Sequence, residues 1–62
     1  MNLGEKIKSI REQKGLRQKD LAVKSCMSNT YLSDIEVGRS LPSFRTLEKI
    51  ASALDVDMKE LF

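Results

Sequence analysis

Histidine and tryptophan are absent from this 62-residue chain, and cysteine, proline and tyrosine occur once each. Each scarcity excludes something. With Cys26 alone no intramolecular disulfide forms, and a single thiol without histidine is a poor ligand set, so neither a metal nor a cofactor is expected. Cys26 reads as a small, semi-buried residue of a cytosolic protein. Without histidine, and without a grouping of acids that would face a pocket, the chain has few of the groups an enzyme uses. A helical domain of this size also has little room for a concave site, so catalysis is not expected. The three aromatics, Tyr31, Phe44 and Phe62, leave the core to Leu, Ile, Val, Met and Ala. The apolar runs are only two or three residues long, so no membrane span is expected. Asn2, Leu3, Gly4 and Glu5 follow Met1 without an apolar run, so no signal peptide is expected. There are no alternating, strand-like runs, no repeats and no low-complexity linkers.

What remains is ordinary for a soluble globular protein: 40% hydrophobic and 32% charged residues. Residues 1–62 read as a single domain. A domain this small buries only about 60% of the surface of its unfolded chain. Its stability is therefore marginal, and tight helix packing or dimerisation would help. Net charge is +2, but it is unevenly spread. Residues 1–31 carry seven bases and three acids, whereas residues 32–62 carry four bases and six acids. A basic front and an acidic back suit a nucleic-acid surface opposite a solvated or self-associating one. An uneven sharing of surface charge without any ligand is the plainer alternative.

The chain divides into helices. Leu3, Ile7 and Ile10 recur at helical spacing, so a first helix is expected over residues 3–14, capped by Asn2 and ended by Gly15. Leu16 should fold back onto the core. A second helix runs from Gln18 to Lys24 or Ser25 with Leu21 and Ala22 inward. Arg17 stands where a capping Ser, Thr or Asp would be expected, and Asp20 in the first turn partly compensates through the helix dipole. After the turn Ser25-Cys26-Met27, Ser28 caps a third helix reaching Glu36 or Val37, stopped by Gly38. Leu32 and Ile35 face inward, with Thr30, Ser33 and Asp34 nearly opposite and Asn29 at the exposed tip. Ser43 caps a fourth helix, Phe44 to Leu54, with its stripe Leu47, Ile50, Ala51 and Leu54. Asp57 caps a short fifth, with Leu61 inward and Phe62 at the end.

Residues 18–36 thus form a helix, a tight turn and a second capped helix. The small Ala22 lets the helices cross closely, the apolar Met27 plugs the turn, and Leu32 and Ile35 anchor the second helix. Its outward face is free to enter a DNA major groove N-terminal end first.

On these residues the chain resembles the lambda-repressor-like, or Xre-type, helix-turn-helix family of bacterial and phage regulators. The resemblance runs through Ile7-Lys8-Ser9-Ile10-Arg11, Lys14-Gly15-Leu16, Gln18-Lys19-Asp20-Leu21-Ala22, Met27-Ser28, Tyr31-Leu32-Ser33-Asp34-Ile35-Glu36, Gly38-Arg39, Pro42-Ser43, Leu47-Glu48-Lys49-Ile50-Ala51 and Glu60-Leu61-Phe62. It implies an all-α, compact five-helix domain that binds double-stranded DNA. It implies that Gln18 contacts a phosphate through its side chain and the helix N-terminus. It implies that Arg11 and Glu36 form a salt bridge tying the first helix to the third. By the same resemblance Ser28, Asn29, Thr30, Ser33 and Asp34 face base edges. Asn29 suits adenine and the Thr30 methyl suits thymine. For Asp34 three roles stay open: accepting from a cytosine amino group, repelling phosphates in wrong registers, or pairing with a nearby base such as Arg39.

Arg39, Ser40 and Arg45 would clamp phosphates, joined by Arg17 and Lys19 beside Gln18. Tyr31 would pack its ring at the core edge with its hydroxyl near the DNA backbone. Such contacts set position and salt dependence without reading sequence. Four residues depart from the family pattern. Cys26 and Asp55 stand where glycine is usual, at sites that favour positive φ. Arg17 replaces the usual cap, and Ser25 replaces a commonly apolar residue.

The implied function is a sequence-specific transcriptional regulator, a repressor acting as a homodimer on a palindromic operator. Val56, Met58, Leu61 and Phe62 are the expected dimer surface. The expected location is the cytoplasm, at the nucleoid. The alternative is a protein-binding adaptor with the same fold and no DNA recognition, favoured by the low net charge and the acidic Asp34.

Overall fold

Side-chain caps decide where the helices begin. In the computed structural model, which describes residues 2–62, the chain forms four α-helices and a short 3-10 turn, with no strand among the described residues. The first helix, α1, is Leu3–Gln13. Asn2 Oδ1 accepts the Glu5 N–H at 2.9 Å and Glu5 Oε1 accepts the Asn2 N–H at 3.2 Å, so two of the orphan donors at this end satisfy each other's residues. Ser28 and Ser43 cap α3 (Asn29–Val37) and α4 (Phe44–Leu54), their hydroxyl oxygens accepting from the N–H groups of Tyr31 at 3.0 Å and Thr46 at 3.2 Å. The start of α2 (Gln18–Lys24) is solved in reverse. Arg17 has no oxygen to offer, but Asp20 reaches back to accept the Arg17 N–H at 3.0 Å.

The helix ends share one device: the chain leaves in a left-handed residue, and the next N–H folds back to a carbonyl of the last turn. Gly15 and Gly38 do this at φ +73° and +87°. The two residues that stand in place of glycine do the same, Cys26 at φ 58° and Asp55 at φ 59°. Met27 N–H then donates to the Ala22 carbonyl, and Val56 N–H to that of Ala51, both at 3.0 Å.

The expected fifth helix is instead a single 3-10 turn, Met58–Leu61. Its bonds are of the i→i+3 kind, Glu60 N–H to Asp57 O at 3.0 Å and Phe62 N–H to Lys59 O at 3.3 Å, the tighter pattern that marks a 3-10 turn. The first helix also stops one residue sooner than the apolar spacing suggests, with Lys14 as its C-cap.

Ile7, Leu21, Ala22, Leu32, Ile35, Leu47, Ile50, Ala51, Leu54 and Leu61 make one aliphatic core. Leu3, Ile10, Leu16, Met27 and Tyr31 are half-buried against it. Both α1 and α2 pack on α3, and α4 closes the far side against α2. The α1–α3 contact depends on Gly4, which is buried. A Cβ there would lie 2.7 Å from the Glu36 carbonyl oxygen and closer still to that of Ile35. Any side chain would therefore push the helices apart.

Candidate nucleic-acid interface

The recognition surface is built from its hidden side outward. On the inner face of α3, Glu36 is 5% exposed and Arg11, from α1, is 8% exposed. The guanidinium grips the carboxylate with two bonds, Arg11 Nε to Glu36 Oε2 at 2.8 Å and Nη2 to Oε1 at 3.1 Å. A third donor, Nη1, reaches the Leu16 carbonyl at 2.8 Å. Gln18 at the start of α2 adds its Nε2, donating to Glu36 Oε1 at 3.1 Å. One buried carboxylate thus ties α1, α2 and α3 together. Among the described residues no buried side-chain polar atom lacks a partner, which is the condition for a buried pair not to be a liability. Ser25 obeys the same rule: it is buried, and its hydroxyl donates to the Leu21 carbonyl.

With its inner face held by Leu32, Ile35 and Glu36, α3 turns the remaining residues out. Ser28, Asn29 and Thr30 are exposed, and Ser33 and Asp34 half-buried. At 100° per residue, Thr30, Ser33 and Asp34 fall on one side of the helix, with Asn29 at the tip. Val37 lies on that same stripe and is 63% exposed. Its spacing of seven, four and three from Thr30, Ser33 and Asp34 was the signal for it.

The flanking residues divide into free and engaged. Lys19 and Arg45 are exposed on the first turns of α2 and α4. Arg17 is exposed, but its guanidinium is held by Asp20, with Nε on Oδ2 at 3.0 Å and Nη2 on Oδ1 at 3.2 Å. These bonds, and then the Arg17 backbone N–H, hold the Asp20 carboxyl below the usual carboxylate range. The same side-chain bond, followed by the charge of Asp20, pushes the Arg17 guanidinium up. Gln18 is half-buried with one amide hydrogen committed to Glu36, leaving the other hydrogen of Nε2 for an outside acceptor. Tyr31 rests half-buried against the core. Arg39 pairs with Asp34 across the end of α3, Nη1 to Oδ1 at 3.3 Å. The backbone N–H groups of Arg39 and Ser40 also donate to the Asp34 carbonyl, at 2.8 and 3.2 Å. The pairing with Arg39, one of the three roles open to Asp34, is formed in the protein alone.

At the opposite end, Leu61 is withdrawn from the expected dimer surface. It is 1% exposed and belongs to the core, because the 3-10 turn rolls it inward onto α1 and α4. Val56 and Met58 are half-buried beside it, and Phe62 is 72% exposed. Among the described residues no helix is long and apolar enough to cross a membrane, and no group of three or more His, Cys, Asp or Glu side chains is placed to hold a metal ion.

This arrangement is shared. A helix-turn-helix family model matches residues 7–61. The chain is 49% identical over 59 residues to the ImmF control region 10 kDa protein of Bacillus phage phi105, covering 95% of this chain and 66% of that protein. It is 43% identical over 61 residues to the immunity repressor protein of the same phage, covering 98% of this chain and 42% of the repressor. The chain thus spans only part of the length of the curated relatives it matches. Among solved structures, the restriction-modification controller protein C.AhdI from Aeromonas hydrophila superposes with a TM-score of 0.95 at 35% identity, over 97% of this chain and 91% of that one. The biofilm master regulator SinR in complex with DNA gives 0.90 at 38% identity, over 95% of each chain.

Proposed function

The chain belongs to the lambda-repressor-like helix-turn-helix family, and from that premise we propose that it is a sequence-specific DNA-binding transcriptional regulator, acting as a repressor. The observation that carries the reading is the division of α3: an inner face locked by the core and the Arg11–Glu36 pair, and an outer, mostly polar face left exposed or half-exposed. A rigid helix with a short polar face suits readout of base edges in a major groove. The family is one of DNA-binding regulators, not of enzymes.

In this reading Ser28, Asn29, Thr30 and Ser33 meet base edges from the N-terminal end of α3. The Ser28 oxygen already accepts the Tyr31 N–H as the helix cap, which leaves its hydroxyl hydrogen and one lone pair for a base. Gln18, Lys19, Arg39, Ser40 and Arg45 meet phosphates, with Tyr31 beside them. Arg17 joins them only through the donors that Asp20 leaves free. The face itself brings little positive charge, so affinity depends on these flanking groups and on doubling. Two copies joined through Val56, Met58 and Phe62, without Leu61, would read half-sites of a palindromic operator about one helical turn, roughly 34 Å, apart. The protein would then work in the cytoplasm, on the nucleoid.

Selection of duplexes from a random pool, read by band shift at low salt, tests the proposal. A recurring sequence motif is expected, and a folded chain that enriches no sequence would overturn it. Sedimentation tests the dimer. A second reading, a protein-binding adaptor, draws on the commitment of Arg11, Arg17 and Arg39 to carboxylates. Gln18→Ala with Asn29→Ala separates the two, since a regulator loses its selected duplex while staying folded and an adaptor loses nothing.

A further inference from the structure

The outer face of α3 carries one negative charge, Asp34, in the place where a DNA-binding surface can least use one. It is not loose. Its carboxylate holds Arg39 at 3.3 Å, and its carbonyl accepts the Arg39 and Ser40 N–H groups. One residue therefore holds the backbone of the loop that follows the helix and draws the guanidinium toward itself through one exposed bond. Arg39 is largely exposed, its side chain at 77%, and only one of its five N–H donors is taken by Asp34. An exposed arginine otherwise samples many rotamers, and fixing it needs a partner.

We infer that Asp34 is a positioning residue rather than a base reader: it holds Arg39 against one phosphate, and so makes a phosphate contact depend on the register of α3. The inference rests on the DNA-binding reading above. With α3 correctly seated, Arg39 lies between the carboxylate and a phosphate and neutralises both. With α3 displaced, the guanidinium cannot serve both, and Asp34 faces the negative duplex uncompensated. The charge thus costs little on the right sequence and more on any other. A contact that by itself carries no sequence information gains selectivity from its neighbour.

The test uses the duplex selected from a random pool by the unsubstituted chain, and the same duplex with its bases scrambled. Binding to both is measured across salt for Asp34→Asn, Arg39→Ala and the double variant, with folding followed by circular dichroism. Asp34→Asn is expected to lower the selected-to-scrambled affinity ratio about tenfold, the scale of one mismatched base pair, mainly by tightening binding to the scrambled duplex. In the Arg39→Ala background the same change is expected to leave the ratio unmoved. Renewed selection with Asp34→Asn is expected to return the same preferred sequence with less contrast. A new preferred base at one position, or an equal loss of ratio with and without Arg39, would overturn the inference and make Asp34 a base reader. If the unsubstituted, folded chain enriches no sequence, the DNA-binding reading fails first and the inference with it.

Discussion

Two ion pairs leave the same helix two residues apart and do different work. Glu36 points inward from α3 and meets Arg11 with two short bonds and almost no solvent. Asp34 points outward and meets Arg39 with one longer bond, the side chains 31% and 77% exposed. Buried, a charge pair is costly to assemble and more costly to break, because removing one partner strands the other in a low-dielectric interior. Exposed, the same pair is worth about 1 kcal/mol or less and is weakened by salt. Chemistry alone does not separate them. Depth does, and so the inner pair serves the fold while the outer one is free to serve a ligand.

The sharpest break in this comparison is Glu36→Ala. It strands Arg11 and frees Gln18, and should cost about 3–5 kcal/mol, comparable with the whole stability of a domain of 62 residues. Urea titration followed by circular dichroism measures it, and a loss under about 1 kcal/mol would show that the inner pair is no more than a surface one. Gly4→Ala attacks the same contact without touching charge. The methyl group meets the Ile35 and Glu36 carbonyls, so α1 must move off α3. A loss of about 1–3 kcal/mol is expected, although alanine is the better helix former by about 1 kcal/mol.

Cys26→Gly runs the other way. The left-handed φ of 58° strains a side chain there, so glycine should stabilise by about 0.5–1 kcal/mol and raise the melting temperature by a few degrees. Asp55→Gly should gain less, because aspartate adapts better to that conformation. Asp34→Asn is the counterpart to Glu36→Ala on the outer face. Its effect on folding should stay within about 0.5 kcal/mol, leaving its consequence to appear only in binding to DNA.

The smallest effect is a pH dependence at the start of α2. Hydrogen bonds from the Arg17 side chain, and then its backbone, hold the Asp20 carboxyl below its ordinary value. A lowered folded pKa means stability that is present above the unfolded value, about 3.9, and is lost as pH falls through the folded one. The Arg17 and Asp20 amide signals in NMR should therefore be unchanged from neutral pH down to about 4, and move only in stronger acid.

Much of this was legible in the chain. The fourth helix, Phe44–Leu54, has the bounds its apolar stripe and capping Ser43 suggest, because cap and stripe sit within a few residues of each other. The left-handed conformation at Cys26 and Asp55 is implied by the resemblance, since both stand where the family has glycine, and both adopt it. The Arg11–Glu36 bridge was available only by resemblance, since no periodicity links residues 25 apart. The bond from Gln18 to Glu36 was not visible at all. The resemblance turns Gln18 outward, yet one of its amide hydrogens is spent inside. Leu61 suits both the core and a partner surface by its sequence, and the core has it.

The sequence by itself determined what is local: where four helices start and stop, which residues form their apolar stripes, and that residues 28–34 leave a polar face. Those outcomes rest on caps, turn conformations and a 3.6-residue period, all settled within a turn or two of chain. Only the tertiary structure decided which groups meet across the fold. It set Gly4 against two carbonyls of α3, joined Gln18 and Arg11 on one carboxylate, and turned Leu61 inward. Such meetings depend on how whole helices are placed, and that placement is fixed by the packing of all their stripes at once.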